Sequence, residues 1–154
     1  MRGLNPLFAK KGLIFVVAEG PVVGPFLTGA RMAELRPGVW ARPDNLTLPE
    51  MPPSVSRWRG RPAPGAGDPA GLATRLWDLD GWAETARALL DELSAATDPA
   101  VRLRVAAAMV RHIRTDPMLP LELLPGNWPG PRLRRDYDGY RGELGRLIAA
   151  RRED

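Results

Sequence analysis

Prolines and glycines interrupt this chain in two long stretches, residues 43–69 and 116–131. Proline cannot continue a helix interior or a central strand, and glycine favours turns, so neither stretch can hold a long regular element. A continuous helical bundle is therefore excluded. The Gly/Pro-rich segment 59–67 is predicted to be a linker between two subdomains.

The chain before this linker has a pattern typical of β-strands. Residues 12–18 are a short run of β-branched and aromatic residues, too short to span a membrane. Further strands are predicted at residues 38–42 and 55–59, with a short helix at residues 27–35.

The chain after the linker changes to helical spacing. Apolar residues recur on one helix face within residues 82–93, 101–113 and 133–147. Asp98 followed by Pro99 is a typical helix start, an N-cap side chain followed by proline at the first helical position. Core packing explains all three stripes, and a dimer contact or a helix-in-groove contact is the alternative for the last one. The whole chain is predicted to be α+β.

Positive charge is carried almost entirely by arginine, since lysine occurs only at Lys10 and Lys11. The formal net charge is +4 at pH 7, and residues 31–66 are net basic whereas residues 67–97 are net acidic. A guanidinium is always charged and binds phosphate oxygens bidentately, so the basic segment could bind nucleic acid. An ordinary charged surface is the alternative. The candidate nucleic-acid-binding residues are Arg42, Arg57, Arg59 and Arg61.

Several kinds of chemistry are excluded by the residues that the sequence lacks. The chain has no cysteine, which excludes disulfides and thiolate sites and is compatible with a cytoplasmic location. Its single histidine, His112, cannot form a histidine-based metal site. No phosphate-binding loop or nucleophile elbow occurs. We therefore expect a protein that is not an enzyme, with no bound metal.

A polar cluster at the end of the second predicted helix could bind an anionic ligand. Two guanidinium groups, Arg111 and Arg114, flank His112 and precede Asp116, and the apolar Trp128 follows in the proline-rich loop. Such a set could hold a phosphate or carboxylate. The alternative is structural, with Asp116 capping the turn before proline and pairing with an arginine. The candidate effector-binding residues are Arg111, His112, Arg114, Asp116 and Trp128.

The same stretch carries a resemblance to a known family. Residues 111–130 read Arg-His-Ile-Arg-Thr-Asp-Pro-Met-Leu-Pro-Leu-Glu-Leu-Leu-Pro-Gly-Asn-Trp-Pro-Gly, which resembles the C-terminal signature of the PaaX family of bacterial transcriptional regulators. Thr115 stands where that family usually has arginine. Residues 38–45 and 76–79 also fit, and the resemblance extends over about residues 33–150.

The resemblance implies both a fold and a function. It implies an incomplete ferredoxin-like domain at residues 1–66 and a helical PaaX-like C-terminal domain at residues 67–154, without the family's N-terminal winged helix. It also implies a repressor-like regulator of aromatic-acid catabolism. Here that would be a truncated module that senses an effector or dimerises.

The implied partners follow from the same resemblance. They are DNA, an acyl-coenzyme A effector of the phenylacetyl-coenzyme A type, and a second copy or a full-length relative; no membrane partner is expected. A protein interaction module that does not bind DNA is the main alternative, and a nucleic-acid-processing enzyme is a further one.

Overall fold

The computed structural model describes residues 12–18, 23–61, 63, 65 and 67–151 of the 154-residue chain. Strands precede the longer helices, so the fold is α+β as predicted. The described elements are, in chain order, β1 (Leu13–Ala18), α1 (Val23–Gly29), β2 (Ala33–Arg36), β3 (Val39–Pro43), β4 (Val55–Gly60), α2 (Pro69–Leu76), α3 (Leu79–Ala95), α4 (Pro99–Arg114), a 3₁₀ turn (Leu121–Leu123) and α5 (Gly130–Ala150).

The four strands form one antiparallel sheet in the order β2-β3-β1-β4. The crossover from β1 through α1 to β2 leaves a gap that β3 fills, which is the split βαβ arrangement of a ferredoxin-like sheet. Residues 44–54 then connect β3 to β4 through turns and irregular backbone rather than through a second helix. The ferredoxin-like domain is therefore incomplete, as expected.

Side chains of β1 are buried on one face of the sheet and partly covered on the other. Ile14 and Val16 pack with Leu27 of α1 and with Met32 on one face. Phe15 points to the other face, where it lies opposite Ala41 of β3 in the register of the sheet. A strand with apolar contacts on both faces has a nearly continuous apolar sequence. This explains why apolar and polar residues do not alternate within residues 12–18.

The predicted helix at residues 27–35 is wrong. Helix α1 ends at Gly29, and residues 33–36 form the edge strand β2 instead. The chain reverses through Arg31, whose φ of 60° is left-handed and incompatible with a continuing helix. Hydrogen bonding of β2 to β3 then overrides the local apolar pattern.

Helices α3, α4 and α5 share a second core. Its buried members come from the three stripes that the spacing predicted. The Asp98 carboxylate accepts the backbone N–H of Ala100, with Pro99 at the first helical position, so the predicted start of α4 is confirmed. The buried core residues are Trp82, Ala86, Leu90, Leu93, Val105, Met109 and Leu133.

The structure divides into two compact units whose limits differ from the predicted segments. The first contains residues up to 78 together with residues 117–124, and the second contains residues 79–116 and residues from 125 onwards. Helix α2, which the sequence analysis did not predict, packs against β2 and the 3₁₀ turn, and so it belongs to the first unit. Its start, Asp68 followed by Pro69, repeats the pattern of Asp98 and Pro99.

Candidate functional site

His112 lies in a stack of three aromatic rings within the second unit. Its imidazole packs on the indole of Trp82, with ring centroids 4.4 Å apart and planes 19° apart. Trp82 also stacks on Trp128, at 4.7 Å and 17°. The stack therefore joins α3, α4 and the end of the proline-rich loop, and Trp82 is its central ring.

Polar atoms of this stack bind the backbone of the helices rather than face solvent. The Nε2 atom of His112 lies 2.8 Å from the carbonyl oxygen of Trp82, so Nε2 carries a hydrogen and donates it. In return, the indole Nε1 of Trp82 donates to Thr115 Oγ1 at 3.1 Å. Thr115 Oγ1 donates in turn to the carbonyl of His112 at 2.7 Å. These bonds tie the C-terminal end of α4 to the first turns of α3, and the His112 carbonyl also accepts the backbone N–H of Thr115 at 3.0 Å.

Asp116 is buried at 1% exposure and forms an ion pair with Arg134 of α5. The predicted structural alternative paired Asp116 with a neighbouring arginine, and the partner is Arg134, on a different helix. Gly130 makes this arrangement possible. A Cβ atom at that position would lie 2.6 Å from the indole nitrogen of Trp128 and 3.0 Å from the Asp116 carboxylate. The carboxylate thus occupies the space beside the first turn of α5, where the helix dipole favours negative charge.

Arg111 and Arg114 are both exposed on the last turn of α4. The structure therefore separates the predicted effector residues into two sets. His112, Asp116 and Trp128 bind other groups of the second unit, whereas the two guanidinium groups face solvent. Trp82, Gly130 and Arg134 were not among the predicted site residues, although the helical spacing does assign Trp82 to the core.

Arg42, predicted as a phosphate-binding residue, is buried at 1% exposure in the first unit. Its guanidinium donates to the carbonyl oxygens of Pro43 at 3.1 Å and Ala30 at 3.0 Å, and to Asn45 Oδ1 at 3.0 Å. Burial and, to a lesser extent, the positive charge of Arg31 lower the pKa of Arg42 to about 10, while the negative charge of Asp44 opposes this shift. The side chain remains charged at neutral pH and acts within the fold, away from any surface that nucleic acid would contact.

Asn45 extends the contacts of Arg42 to the proline-rich loop. Its Nδ2 donates to the carbonyl oxygen of Met118 at 2.9 Å. Met118 has a left-handed φ of 53°, which costs free energy for a residue other than glycine and needs support from its surroundings. Arg42 and Asn45 therefore hold residues 117–124 against the first unit.

The other three predicted arginines lie on or next to the edge strand β4. Arg57, Arg59 and Arg61 are exposed, and Arg57 and Arg59 point to the same face because strand side chains alternate. Arg59 forms an ion pair of 2.9 Å with Asp44. Trp58 points to the opposite face and is 63% exposed. The structure thus groups these three arginines on one edge of the sheet without Arg42.

The second unit and the loop preceding α5 match a family model. The match covers residues 77–150 and is described as the PaaX-like protein C-terminal domain. Residues 77–150 form a PaaX-like C-terminal domain. The resemblance seen in the sequence is thereby confirmed for this region, and PaaX-like domains belong to a family associated with transcriptional regulation.

A solved structure is similar to both units. It is the uncharacterized protein Rv0674 from Mycobacterium tuberculosis, which is 39% identical in sequence and has a TM-score of 0.80. The similarity covers 90% of this chain and 62% of the Mycobacterium tuberculosis chain. No curated protein matches the sequence significantly.

In the part of the chain that the structure describes, no helix combines the length and the apolarity needed to cross a membrane. Within the same residues, no three His, Cys, Asp or Glu side chains are grouped as metal ligands would be.

Proposed function

We propose that this chain is the effector-sensing part of a PaaX-like regulator of aromatic-acid catabolism, acting in the cytoplasm without enzymatic activity. The observation that carries the proposal is the PaaX-like C-terminal domain at residues 77–150, since that family is associated with transcriptional regulation of phenylacetate catabolism. The effector is an acyl-coenzyme A of the phenylacetyl type, and DNA is the macromolecular partner.

Arg111 and Arg114 are the proposed contacts for the phosphates of the effector. They lie three residues apart on α4, which puts both side chains on neighbouring positions of one helix face. Both are exposed, so a phosphate can reach them from solvent. His112, Asp116 and Trp128 support this face from within the unit through their stacking and ion-pair contacts.

Isothermal titration calorimetry of the full chain with phenylacetyl-coenzyme A tests this function. We expect phenylacetyl-coenzyme A to bind more tightly than acetyl-coenzyme A, because only the former carries an aromatic acyl group. The double variant Arg111→Ala, Arg114→Ala should bind at least about a hundredfold more weakly, because each of the two charge-assisted hydrogen bonds contributes about 1.5 to 3 kcal/mol.

The matched control is the double variant Arg104→Ala, Arg141→Ala, which removes the same charge from exposed positions elsewhere in the second unit. It should bind as the parent does. A parent chain that gives no binding heat with phenylacetyl-coenzyme A contradicts the proposed effector. Unchanged affinity in the Arg111, Arg114 variant contradicts the proposed phosphate contacts.

A second candidate function, an interaction module that pairs with a second copy of the chain, is favoured by the C-terminal half of α5. Leu147 is 65% exposed and Ile148 is 47% exposed. A twofold interface buries the same patch from both copies, so the exposed Leu147 and Ile148 would pack against the same residues of a second copy. Sedimentation equilibrium should give a dimer that Leu147→Glu dissociates. Gly145→Glu, two residues away and about 200° around the helix, should leave it intact.

A further inference from the structure

The first unit contains an apolar cavity of about 180 Å³, partly open to solvent, between the sheet and helix α2. Phe15 and Ala41 form its floor on β1 and β3. Leu72 and Leu76 of α2 cover it, and Leu123 of the 3₁₀ turn closes part of its rim. The cavity lies on the face of the sheet opposite α1.

Charged residues at the cavity wall already have protein partners. Asp68 accepts the backbone N–H groups of Ala70 and Gly71 at 3.2 and 3.1 Å as the cap of α2. Arg42 donates to three acceptors of the first unit, as described above. A ligand group entering this cavity would therefore meet mainly carbon atoms and must itself be uncharged.

Two small buried residues keep the space open. Ala73 is 2% exposed and Ala41 is 3% exposed, and both line the cavity. A larger aliphatic side chain at either position would occupy the space that is now empty.

The volume of the cavity limits the size of the ligand that it can bind. An apolar cavity of about 150 Å³ lined by aliphatic and aromatic side chains remains dry and binds benzene. The cavity here is slightly larger, which leaves room for one six-membered ring with a short alkyl substituent. A bicyclic ring system, such as naphthalene with its four additional carbons, would extend towards the open side of the cavity.

We propose that this cavity is a binding site for a single uncharged six-membered ring, aromatic or alicyclic, whose polar substituent stays outside. The site is separate from the arginines of α4 and lies in the first unit. It goes beyond the proposed function, because ring binding here needs neither coenzyme A nor DNA.

Toluene is the probe, titrated into the full chain labelled at its leucine methyl groups and followed by NMR. We expect saturable shifts at the methyls of Leu72, Leu76 and Leu123, with those of Leu133 in the second core unmoved. Absence of saturable shifts at the three cavity leucines overturns the proposal.

Two variants with opposite effects on the volume give the decisive comparison. Ala73→Leu fills the cavity and should weaken toluene binding at least about tenfold. Thr74→Leu, which adds a similar side chain at the exposed neighbouring position, should not. Leu72→Ala removes three side-chain carbons and should bind naphthalene more tightly than the parent does.

A gain of naphthalene binding cannot arise from a folding defect, so Leu72→Ala remains informative if Ala73→Leu fails to fold. The proposal is overturned if folded Ala73→Leu binds toluene as the parent does, or if folded Leu72→Ala binds naphthalene no more tightly than the parent. Toluene carries no phosphate, so this result and the calorimetry with phenylacetyl-coenzyme A can succeed or fail separately.

Discussion

Several side chains whose chemistry suits ligand binding contact other parts of the protein instead. Asp116 pairs with Arg134, His112 donates to the backbone of α3, and Arg42 donates to three acceptors of the first unit. One alternative from the sequence paired Asp116 with a neighbouring arginine, whereas the partner in the structure is Arg134. Arg134 is 18 positions away on another helix, and only tertiary packing brings it to the carboxylate.

The aromatic stack makes Trp128 important for the second unit. Trp128→Ala removes a ring that packs on Trp82 and on the buried core. Because Trp128 is only partly buried, we expect a loss near the lower end of the usual range, about 3 kcal/mol in the free energy of unfolding. Urea unfolding followed by circular dichroism measures it. Trp58→Ala, at a 63% exposed tryptophan, is the control and should change stability by less than about 1 kcal/mol.

The effects of Arg42 and Asn45 on the stability of the first unit should be coupled. Arg42→Met keeps an apolar stem but leaves the Ala30 carbonyl and the Asn45 amide oxygen without their donor, which should cost about 2 to 4 kcal/mol. Because both residues contribute to one bond, the double variant with Asn45→Ala should be less destabilised than the sum of the single variants. Chemical denaturation of all four proteins gives this coupling. Additive effects would contradict it, and Arg57→Met is the exposed control.

At the scale of elements, helices with both an apolar stripe and a cap signal were predicted well, whereas short elements were not. Helix α4 begins where Asp98 and Pro99 indicate. Helix α2 has the same signal at Asp68 and Pro69, but its eight residues follow a Gly/Pro-rich stretch and carry too short a stripe to stand out. Strand β2 has four residues, and its pairing with β3 depends on a partner that local sequence does not identify.

The two N-cap aspartates allow two variants, each of which serves as the control for the other. Asp68→Ala and Asp98→Ala should each lower the free energy of unfolding by about 1 kcal/mol, the usual value of an N-cap. Hydrogen exchange should show which helix is affected. Amides of α2 should exchange faster only in Asp68→Ala, and amides in the first turns of α4 only in Asp98→Ala. Faster exchange of both helices in either variant would show that these caps do not act locally.

At the scale of the whole molecule, the predicted nucleic-acid surface is smaller than the sequence indicated, because Arg42 is buried. A sequence shows which residues are charged but not which of them are exposed. The burial of Arg42, one of the four predicted arginines, depends on the packing of α1 and residues 44–54. Three arginines of the β4 edge remain as candidates, and the folded chain presents them together.

We expect duplex DNA to bind this chain weakly and without sequence preference. Three phosphate contacts give a slope of about −2.7 for log affinity against log salt concentration, since each contributes about −0.9. Fluorescence anisotropy between 50 and 200 mM salt, roughly the usual range for such measurements, tests this. Replacing Arg57, Arg59 and Arg61 by alanine should abolish binding, whereas replacing Arg104, Arg135 and Arg141 should not. Tight, sequence-selective binding that survives the first replacement would refute it.

The division into two units also affects how the chain folds during synthesis. Residues 117–124 complete the first unit, where Leu119 and Leu123 are buried and Asn45 binds the Met118 carbonyl. They leave the ribosome only after α3 and α4 have been made. An N-terminal domain generally folds as a unit while the rest of the chain is still being synthesised. We therefore expect one face of the sheet to remain incompletely covered until residue 124 has left the ribosome. A pause in translation before that point would leave it exposed to chaperones and proteases.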